Sequence, residues 1–112
     1  MKTALVLLLV AVGVWAALAW LAHRSAFFPM RFPEGWWQVQ QELRAEDIWL
    51  TARDGVKLHC WWVGDPKAAV ATLFLHGNAG NVTHRGAAMR AMQAAGSAVL
   101  MVDYRGYGKS EG

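Results

Sequence analysis

The chain has 112 residues, more than half of them apolar, and a formal net charge of +3. This length leaves room for one domain or part of one. The positive charges are scattered along the chain rather than gathered on one stripe, which argues against a nucleic-acid-binding surface. A single cysteine, Cys60, excludes an internal disulfide and leaves the redox compartment open.

The first segment, residues 3–22, is apolar and has no charge. A helix of this length spans roughly 30 Å, the thickness of a bilayer hydrocarbon core. We therefore predict a single-pass transmembrane anchor over residues 1–24, with residues 3–22 in the lipid bilayer. A cleaved signal peptide is the alternative, with Ala17-Leu18-Ala19 as its A-x-A site. The apolar run continues past that site, which favours the anchor, while balanced flanking charges leave its orientation open.

Residues 25–45 are predicted as a linker, because Pro29, Pro33 and Gly35 break any regular pattern. The folded domain is predicted to occupy residues 46–112. Several aromatic residues near the anchor are typical of the headgroup zone of a membrane, although two of them could instead belong to the domain core. These residues are Trp20, Phe27, Phe28, Trp36 and Trp37.

A β-hairpin opens the predicted domain. Residues 46–52 alternate between apolar and polar, and Asp54-Gly55 is a strong signal for a hairpin turn. One face of the first strand would carry Ile48, Leu50 and Ala52. The apolar face of the returning strand is predicted to consist of Val56, Leu58, Cys60 and Trp62.

Two later segments, residues 69–75 and 98–102, are apolar on both faces, which is typical of strands covered by helices on each side. Between them, residues 84–95 have helical spacing, and Gly96 is expected to end that helix. Hairpin, strand, helix and strand in this order predict an α/β fold with a mostly parallel sheet.

The loop between the first apolar strand and the helix, residues 76–81, reads HGNAGN. In open α/β sheets, ligands bind beyond the carboxyl ends of the strands, where this loop lies. Small residues at positions 77, 79 and 80 leave backbone N–H groups uncovered, and such groups can stabilise an oxyanion. Taken alone, the loop could equally be a plain strand-to-helix turn.

A second loop, residues 103–112, reads DYRGYGKSEG and directly follows the second apolar strand. Together, HGNAGN…HR and DYRGYGKSEG resemble the α/β-hydrolase family, in particular its membrane-anchored, serine-aminopeptidase-like branch. The resemblance covers residues 28–112. It implies that the strands are the first ones of a hydrolase sheet, and that the whole protein cleaves ester, thioester or amide bonds by acyl transfer through a serine.

The resemblance also implies roles for individual residues. The backbone N–H of Asn78 would be one donor of the oxyanion hole, and the N–H after the nucleophile would be the second. Asp103 and Arg105 would brace the two loops against each other. The other loop-shaping positions that it implies are His76, Gly77, Ala79, Gly80 and Gly106.

Residues 108–112 spell G-x-S-x-G around Ser110, but no buried strand runs into this serine, as a nucleophile elbow requires. We predict that Ser110 is a loop residue. The same segment ends like a phosphate-binding loop, but Asp103 stands where that motif needs glycine, so we expect no nucleotide. The four histidines lack metal-ligand spacing, so we expect no metal and no cofactor.

The 112 residues contain no nucleophile elbow and no later acid and histidine of a triad. We therefore interpret the chain as the N-terminal portion of a membrane-anchored serine hydrolase. Its nucleophile would lie beyond residue 112, its substrate would be a small acyl compound, and the isolated chain would be inactive. The alternative is a non-enzymatic small membrane protein, or a pseudo-hydrolase remnant, that serves as an interaction module. Two matching loops at strand ends favour the hydrolase.

Overall fold

The computed structural model describes residues 2–112, which begin with helix α1, Lys2–Ala26. This helix contains the whole predicted span 3–22, and all its residues are exposed. It is the one helix in residues 2–112 that is long and apolar enough to cross a membrane, a property that a signal sequence shares. The N-terminal apolar helix of the predicted fold is therefore present.

A four-stranded sheet follows, with the strand order β2-β3-β6-β4. Its strands are β2 (Glu46–Thr51), β3 (Lys57–Val63), β4 (Val70–Leu75) and β6 (Ser97–Val102). The predicted hairpin is confirmed by the antiparallel pairing of β2 with β3. The predicted β-α-β unit is confirmed by the parallel pairing of β4 with β6, whereas β3 and β6 are antiparallel, so two of the three strand pairings of this sheet run antiparallel.

The predicted helix after the HGNAGN loop is present in two parts. A 3₁₀ turn, Val82–Arg85, leads into α3, Gly86–Ala94. The Asn81 side chain accepts the N–H of Thr83, which caps this start of the helix. Gly96 has a φ of +85°, so it ends the helix in the left-handed conformation that glycine tolerates best, as the sequence predicts.

One face of the sheet is covered by α3 and by the short helix α2, Val39–Leu43. The buried core between them is formed by Val39, Leu43, Trp61, Val63, Val82, Met89, Val99 and Met101. The face predicted for β3 is wrong, since Trp61 and Val63 face the helices and Leu58 and Trp62 do not. The row of residues 58, 60 and 62 is wholly apolar, whereas the core-facing row also carries Lys57 and His59, so alternation alone points to the wrong row.

Residues 25–45 differ from the predicted linker. Within this segment α2 places Val39 and Leu43 in the core, and the two-residue strand β1, Phe28–Pro29, pairs with β5, Ala79–Gly80. The prolines and Gly35 correctly indicate irregular backbone, but a five-residue helix is too short to show a helical period. The segment is therefore part of the packed domain.

Strand β4 was predicted to be covered on both faces. Within residues 2–112 it is an edge strand, and the side of the sheet away from α2 and α3 carries no other element over it. Leu73 and Leu75 are 61% and 55% exposed there, while Phe74, on the opposite row, packs against the core. Of the two apolar rows of β4, one therefore packs against the core and the other is exposed within residues 2–112.

Cys60 is fully buried in β3, and burial, with a contribution from the charge of Asp103, raises the pKa of its thiol to about 11. Since the thiolate is the reactive form, we expect iodoacetamide to label the folded chain about 100-fold more slowly than a thiol with the ordinary pKa of 9.0. The measurement is mass spectrometry of labelling at pH 8 with and without urea. Equal rates in both conditions would contradict the burial of Cys60.

Candidate active site at the ends of β4 and β6

The two motif loops lie side by side. Residues 76–81 follow β4 and residues 103–112 follow β6, and because these strands are parallel neighbours their carboxyl ends share one edge of the sheet. The Tyr104 hydroxyl donates to the His76 carbonyl at 2.6 Å, and the Tyr107 hydroxyl donates to the Asn78 carbonyl at 2.8 Å. Two tyrosines of the second loop therefore fix the backbone of the first.

The chain that leaves α1 also joins this edge. The N–H of Phe28 donates to the Asn78 carbonyl at 2.8 Å, and the N–H groups of Met30 and Phe32 donate to Gly80 and Gly108. Donors at every second residue are those of an extended strand, and Pro29 falls in the other row, where its missing N–H breaks no bond. This spacing of the proline is a signal in the sequence from which the strand could have been inferred.

Asn78 is exposed, and hydrogen bonds hold its carbonyl and its side chain. Its carbonyl accepts from Phe28 and Tyr107, and its side-chain amide donates to the carbonyl of Ala26, the last residue of α1. Its own N–H makes no hydrogen bond within residues 2–112. A free N–H in a loop that is fixed on the residue's carbonyl side is suited to an oxyanion donor. The oxyanion role of Asn78 stays a prediction.

Asp103 is fully buried at the start of the second loop. Its Oδ1 accepts the N–H of Val82 at 2.8 Å and lies 3.2 Å from Nε2 of His76. His76 is itself buried, and its Nδ1 lies 2.7 Å from the Gly77 carbonyl oxygen. Asp103 thus contacts both ends of the first loop from the second one.

Arg105 makes no hydrogen bond or salt bridge to residues 76–81, the loop that it is predicted to brace. Its Nη2 donates to Oδ1 of Asp54 at 2.6 Å, in the turn of the β2–β3 hairpin, and both side chains are about half exposed. The opposite charge of Asp54 attracts the guanidinium to the hairpin side of the loop. An exposed pair of this kind adds little stability.

Two further residues extend the contacts of Asp103, and neither was singled out from the sequence. His59 is fully buried; its Nδ1 lies 3.5 Å from Oδ2 of Asp103, and its Nε2 lies 2.7 Å from Oδ1 of Asp47. Asp47 also accepts the Trp61 indole N–H at 3.0 Å and the Lys109 ammonium at 3.3 Å. Acidic and imidazole groups therefore alternate from Asp47 through the sheet to the first loop. A histidine in the core-facing row of β3 needs such partners, and this requirement could have pointed to them.

The carboxyl group of Asp103 is shaped by two opposing effects. Burial favours the neutral form of Asp103 and raises its pKa. The contacts with His59 and His76 and the N–H of Val82 lower the pKa by a larger amount. The pKa therefore lies below the ordinary value of 3.8. The same balance, with His59 as the first stabilising contact, lowers the pKa of Asp47. Asp103 is therefore a buried negative charge between two imidazole rings.

Ser110 is a structural residue of the second loop, in agreement with the prediction that it is not a nucleophile. Its hydroxyl donates to the carbonyl of Asp103 at 2.8 Å and accepts the N–H of His59 at 2.8 Å. The side chain is almost fully buried. A nucleophilic serine needs a hydroxyl that faces the substrate and a base beside it, and neither condition is met here.

The remaining loop-shaping positions behave differently from one another. Gly80 and Gly106 have φ angles of +82° and +75°, which favour glycine. Gly77 has no such angle, and an added Cβ there would come no closer than 4.0 Å to the Arg85 side chain. Ala79 pairs with Phe28 in the short parallel ladder.

No family model matches the chain. Several known proteins are nevertheless similar to it in sequence. It is 49% identical over 70 residues to the alpha/beta hydrolase domain-containing protein WAV2 of Arabidopsis thaliana, which covers 60% of the chain and 23% of that protein. It is 36% identical over 98 residues to the uncharacterized protein YfhR of Salmonella typhi, which covers 83% of the chain and 34% of that protein. The chain thus spans about a quarter to a third of the length of these relatives.

A solved structure resembles the fold. The esterase Pf2001 of Pyrococcus furiosus superimposes with a TM-score of 0.60 at 28% sequence identity, over 78% of the chain and 34% of the esterase. The partial sheet, the paired loops at its edge and these relatives agree with one another. The chain belongs to the α/β-hydrolase family.

Proposed function

We propose that the chain is the N-terminal portion of a membrane-anchored serine hydrolase that cleaves ester, thioester or amide bonds of a small acyl substrate. The observation that supports this most directly is the free backbone N–H of Asn78, in a loop whose following peptide is fixed through the Asn78 carbonyl. It lies at the sheet edge where ligands of α/β proteins bind. The esterase neighbour is a hydrolase of the same fold.

In this proposal a serine from residues after 112 attacks the carbonyl carbon of the substrate. Negative charge develops on the carbonyl oxygen, and the N–H of Asn78 donates to it together with the N–H that follows the nucleophile. The buried carboxylate of Asp103 accepts the N–H of Val82, directly after the loop, and this bond helps to hold the loop in place. Expulsion of the leaving group gives an acyl-enzyme, which water then hydrolyses.

Membrane anchoring in this proposal is the role of α1. Its 25 residues would extend about 37 Å, more than the hydrocarbon core of a bilayer. All of its apolar side chains are exposed and have no protein surface to cover them within residues 2–112. A bilayer would cover them, and it would hold the folded domain close to the membrane surface.

The test is to change Asn78 in the whole protein and to measure the hydrolysis of p-nitrophenyl butyrate. Asn78→Pro removes the N–H and should lower kcat by about 100- to 1000-fold, the usual effect of losing one oxyanion donor. Asn78→Ala keeps the N–H and should have a much smaller effect. Thermal unfolding of both variants shows whether each one is folded.

Ser110→Ala is a control for the position of the nucleophile. It should retain kcat, because its hydroxyl contacts only the backbone of Asp103 and His59. A folded Ser110→Ala protein without activity would overturn the assignment of the nucleophile. Wild-type kcat in folded Asn78→Pro would overturn the oxyanion role.

An interaction module without enzyme activity is the second candidate, and the exposed row of β4 favours it. Leu73 and Leu75 are more than half exposed at the edge of the sheet. An apolar edge strand of this kind is a common surface for strand pairing with another chain. The absence of acyl-ester hydrolysis by the whole protein would favour this candidate over the first.

A further inference from the structure

A groove of about 780 Å³ lies where α1 meets the folded domain. Its α1 side is formed by the last turn of the helix, with Arg24 and Phe27. Its domain side includes Leu58 and Val102, which belong to the sheet face that α2 and α3 leave uncovered. Asn78 does not line the groove, but Tyr104 and Tyr107, which hydrogen-bond to the 76–81 loop, do, so the groove adjoins the proposed oxyanion hole.

The floor of the groove is apolar. Leu58 and Val102 lie on neighbouring strands β3 and β6, and Phe27, 53% exposed, closes one side. Covering such an apolar surface with another apolar group is favourable by about 25 cal/mol for each Å² that is removed from water. The floor therefore suits an acyl chain.

The rim of the groove is positively charged. Arg24, Arg31 and Arg105 line it, and no aspartate or glutamate of residues 2–112 does. Arg24 makes no salt bridge in this part of the chain, and Arg31 donates only to the carbonyl oxygen of Gly112. Arg105 is already paired with Asp54. Two guanidinium groups thus have donors left for an anion, and phosphate matches the geometry of this group.

Several residues that line the groove follow directly after the apolar part of α1, and this position indicates which anion is available to bind there. Arg24 is the first charged residue after Lys2, so it marks the end of the apolar part of α1. In a membrane-spanning α1 this residue lies at the level of the lipid headgroups. The groove opens at that same level, because Phe27 and Arg31 follow within seven residues.

We propose that this groove binds an anionic phospholipid of the surrounding bilayer, with its phosphate on Arg24 and Arg31 and one acyl chain on Phe27, Leu58 and Val102. The proposal rests on the membrane anchoring proposed above, but it does not depend on hydrolase activity. Each basic side chain near a membrane surface adds about fivefold to the binding of an anionic lipid. The two free arginines together should therefore give a preference of roughly 25-fold.

The test uses the full chain in phosphatidylcholine vesicles that contain a trace of dansyl-labelled lipid. The label is on the acyl chain of either phosphatidylglycerol or phosphatidylcholine, and energy transfer from the tryptophans reports which lipid lies beside the protein. We expect stronger transfer to phosphatidylglycerol, and we expect this preference to be lost in the Arg24→Gln/Arg31→Gln double variant. The matched control, Arg53→Gln/Lys67→Gln, removes the same charge from exposed turns outside the groove and should keep the preference.

Three other results would overturn the proposal. Equal transfer to both lipids, or an equal loss in both double variants, would show that the groove does not select an anionic lipid. Displacement of the labelled lipid by soluble glycerol phosphate would show that the site binds phosphate without a lipid. Flotation of the vesicles tests the anchor separately, since a chain that does not float with them lacks the anchor on which this site depends.

Discussion

Replacing Asp103 with asparagine is expected to lower the free energy of unfolding by roughly 1.5 to 3 kcal/mol, the usual contribution of a hydrogen bond to a charged group. The amide oxygen can still accept the N–H of Val82, but the negative charge between His59 and His76 is lost. The measurement is urea unfolding of the chain in detergent micelles, followed by tryptophan fluorescence.

The matched control for this variant is Asp54→Asn. It also removes one carboxylate, but this carboxylate is exposed and pairs with the Arg105 guanidinium at the surface. Its urea midpoint should stay close to that of the wild type. A similar loss of stability in the two variants would show that Asp103 acts only through general charge and not through its buried contacts.

The same carboxylate should make stability depend on pH in a defined direction. The pKa of Asp103 is lower in the folded chain than its ordinary value of 3.8, so the unfolded chain takes up the proton first as pH falls. The stabilisation is therefore fully present above about pH 5 and is lost as pH falls through about 4 and below. Asp103→Asn should remove this part of the acid dependence, and an unchanged pH profile would contradict the lowered pKa.

Gly108→Ala is expected to be the second strongly destabilising change. An added Cβ would lie 1.9 Å from Oδ2 of Asp103, and the backbone has a φ of +50°. The left-handed conformation costs an alanine roughly 1 to 2 kcal/mol, and the clash with a fixed, buried carboxylate should add roughly 1 to 3 kcal/mol. Urea unfolding in micelles measures the sum.

Gly55→Ala separates the two contributions. Gly55 also has a positive φ, +88°, but an added Cβ would meet no atom within 4 Å. This variant should therefore show the conformational cost alone. If Gly55→Ala and Gly108→Ala lose the same stability, then the carboxylate of Asp103 does not press against the loop at Gly108.

The sequence was sufficient to predict which loops meet. Two apolar segments joined by a helix form parallel neighbours, so the HGNAGN and DYRGYG motifs share one edge of the sheet. Gly96 ends the helix for a local reason, a left-handed φ that glycine tolerates. Both features depend on short stretches of chain or on general rules of topology, which is why a single sequence shows them.

Other features depend on contacts between distant residues. Trp61, rather than Trp62, faces the core, and its indole N–H reaches Asp47, a residue of the neighbouring strand. The pairing of His59 with Asp47 and Asp103 depends on the register of β2, β3 and β6. Register is set by the whole sheet, so these pairs could not be read from the alternation of one strand.

The link between α1 and the 76–81 loop restricts how far the candidate site can stand from the membrane. The carbonyl of Ala26, at the end of the helix, accepts the amide of Asn78, and the next residues are hydrogen-bonded along the same loop. No slack tether separates the helix from the loop, in contrast to the flexible linkers of many anchored enzymes. With α1 in a bilayer, the site would stay at one height above the lipid, and an acyl bond would have to lie at that height to be cleaved.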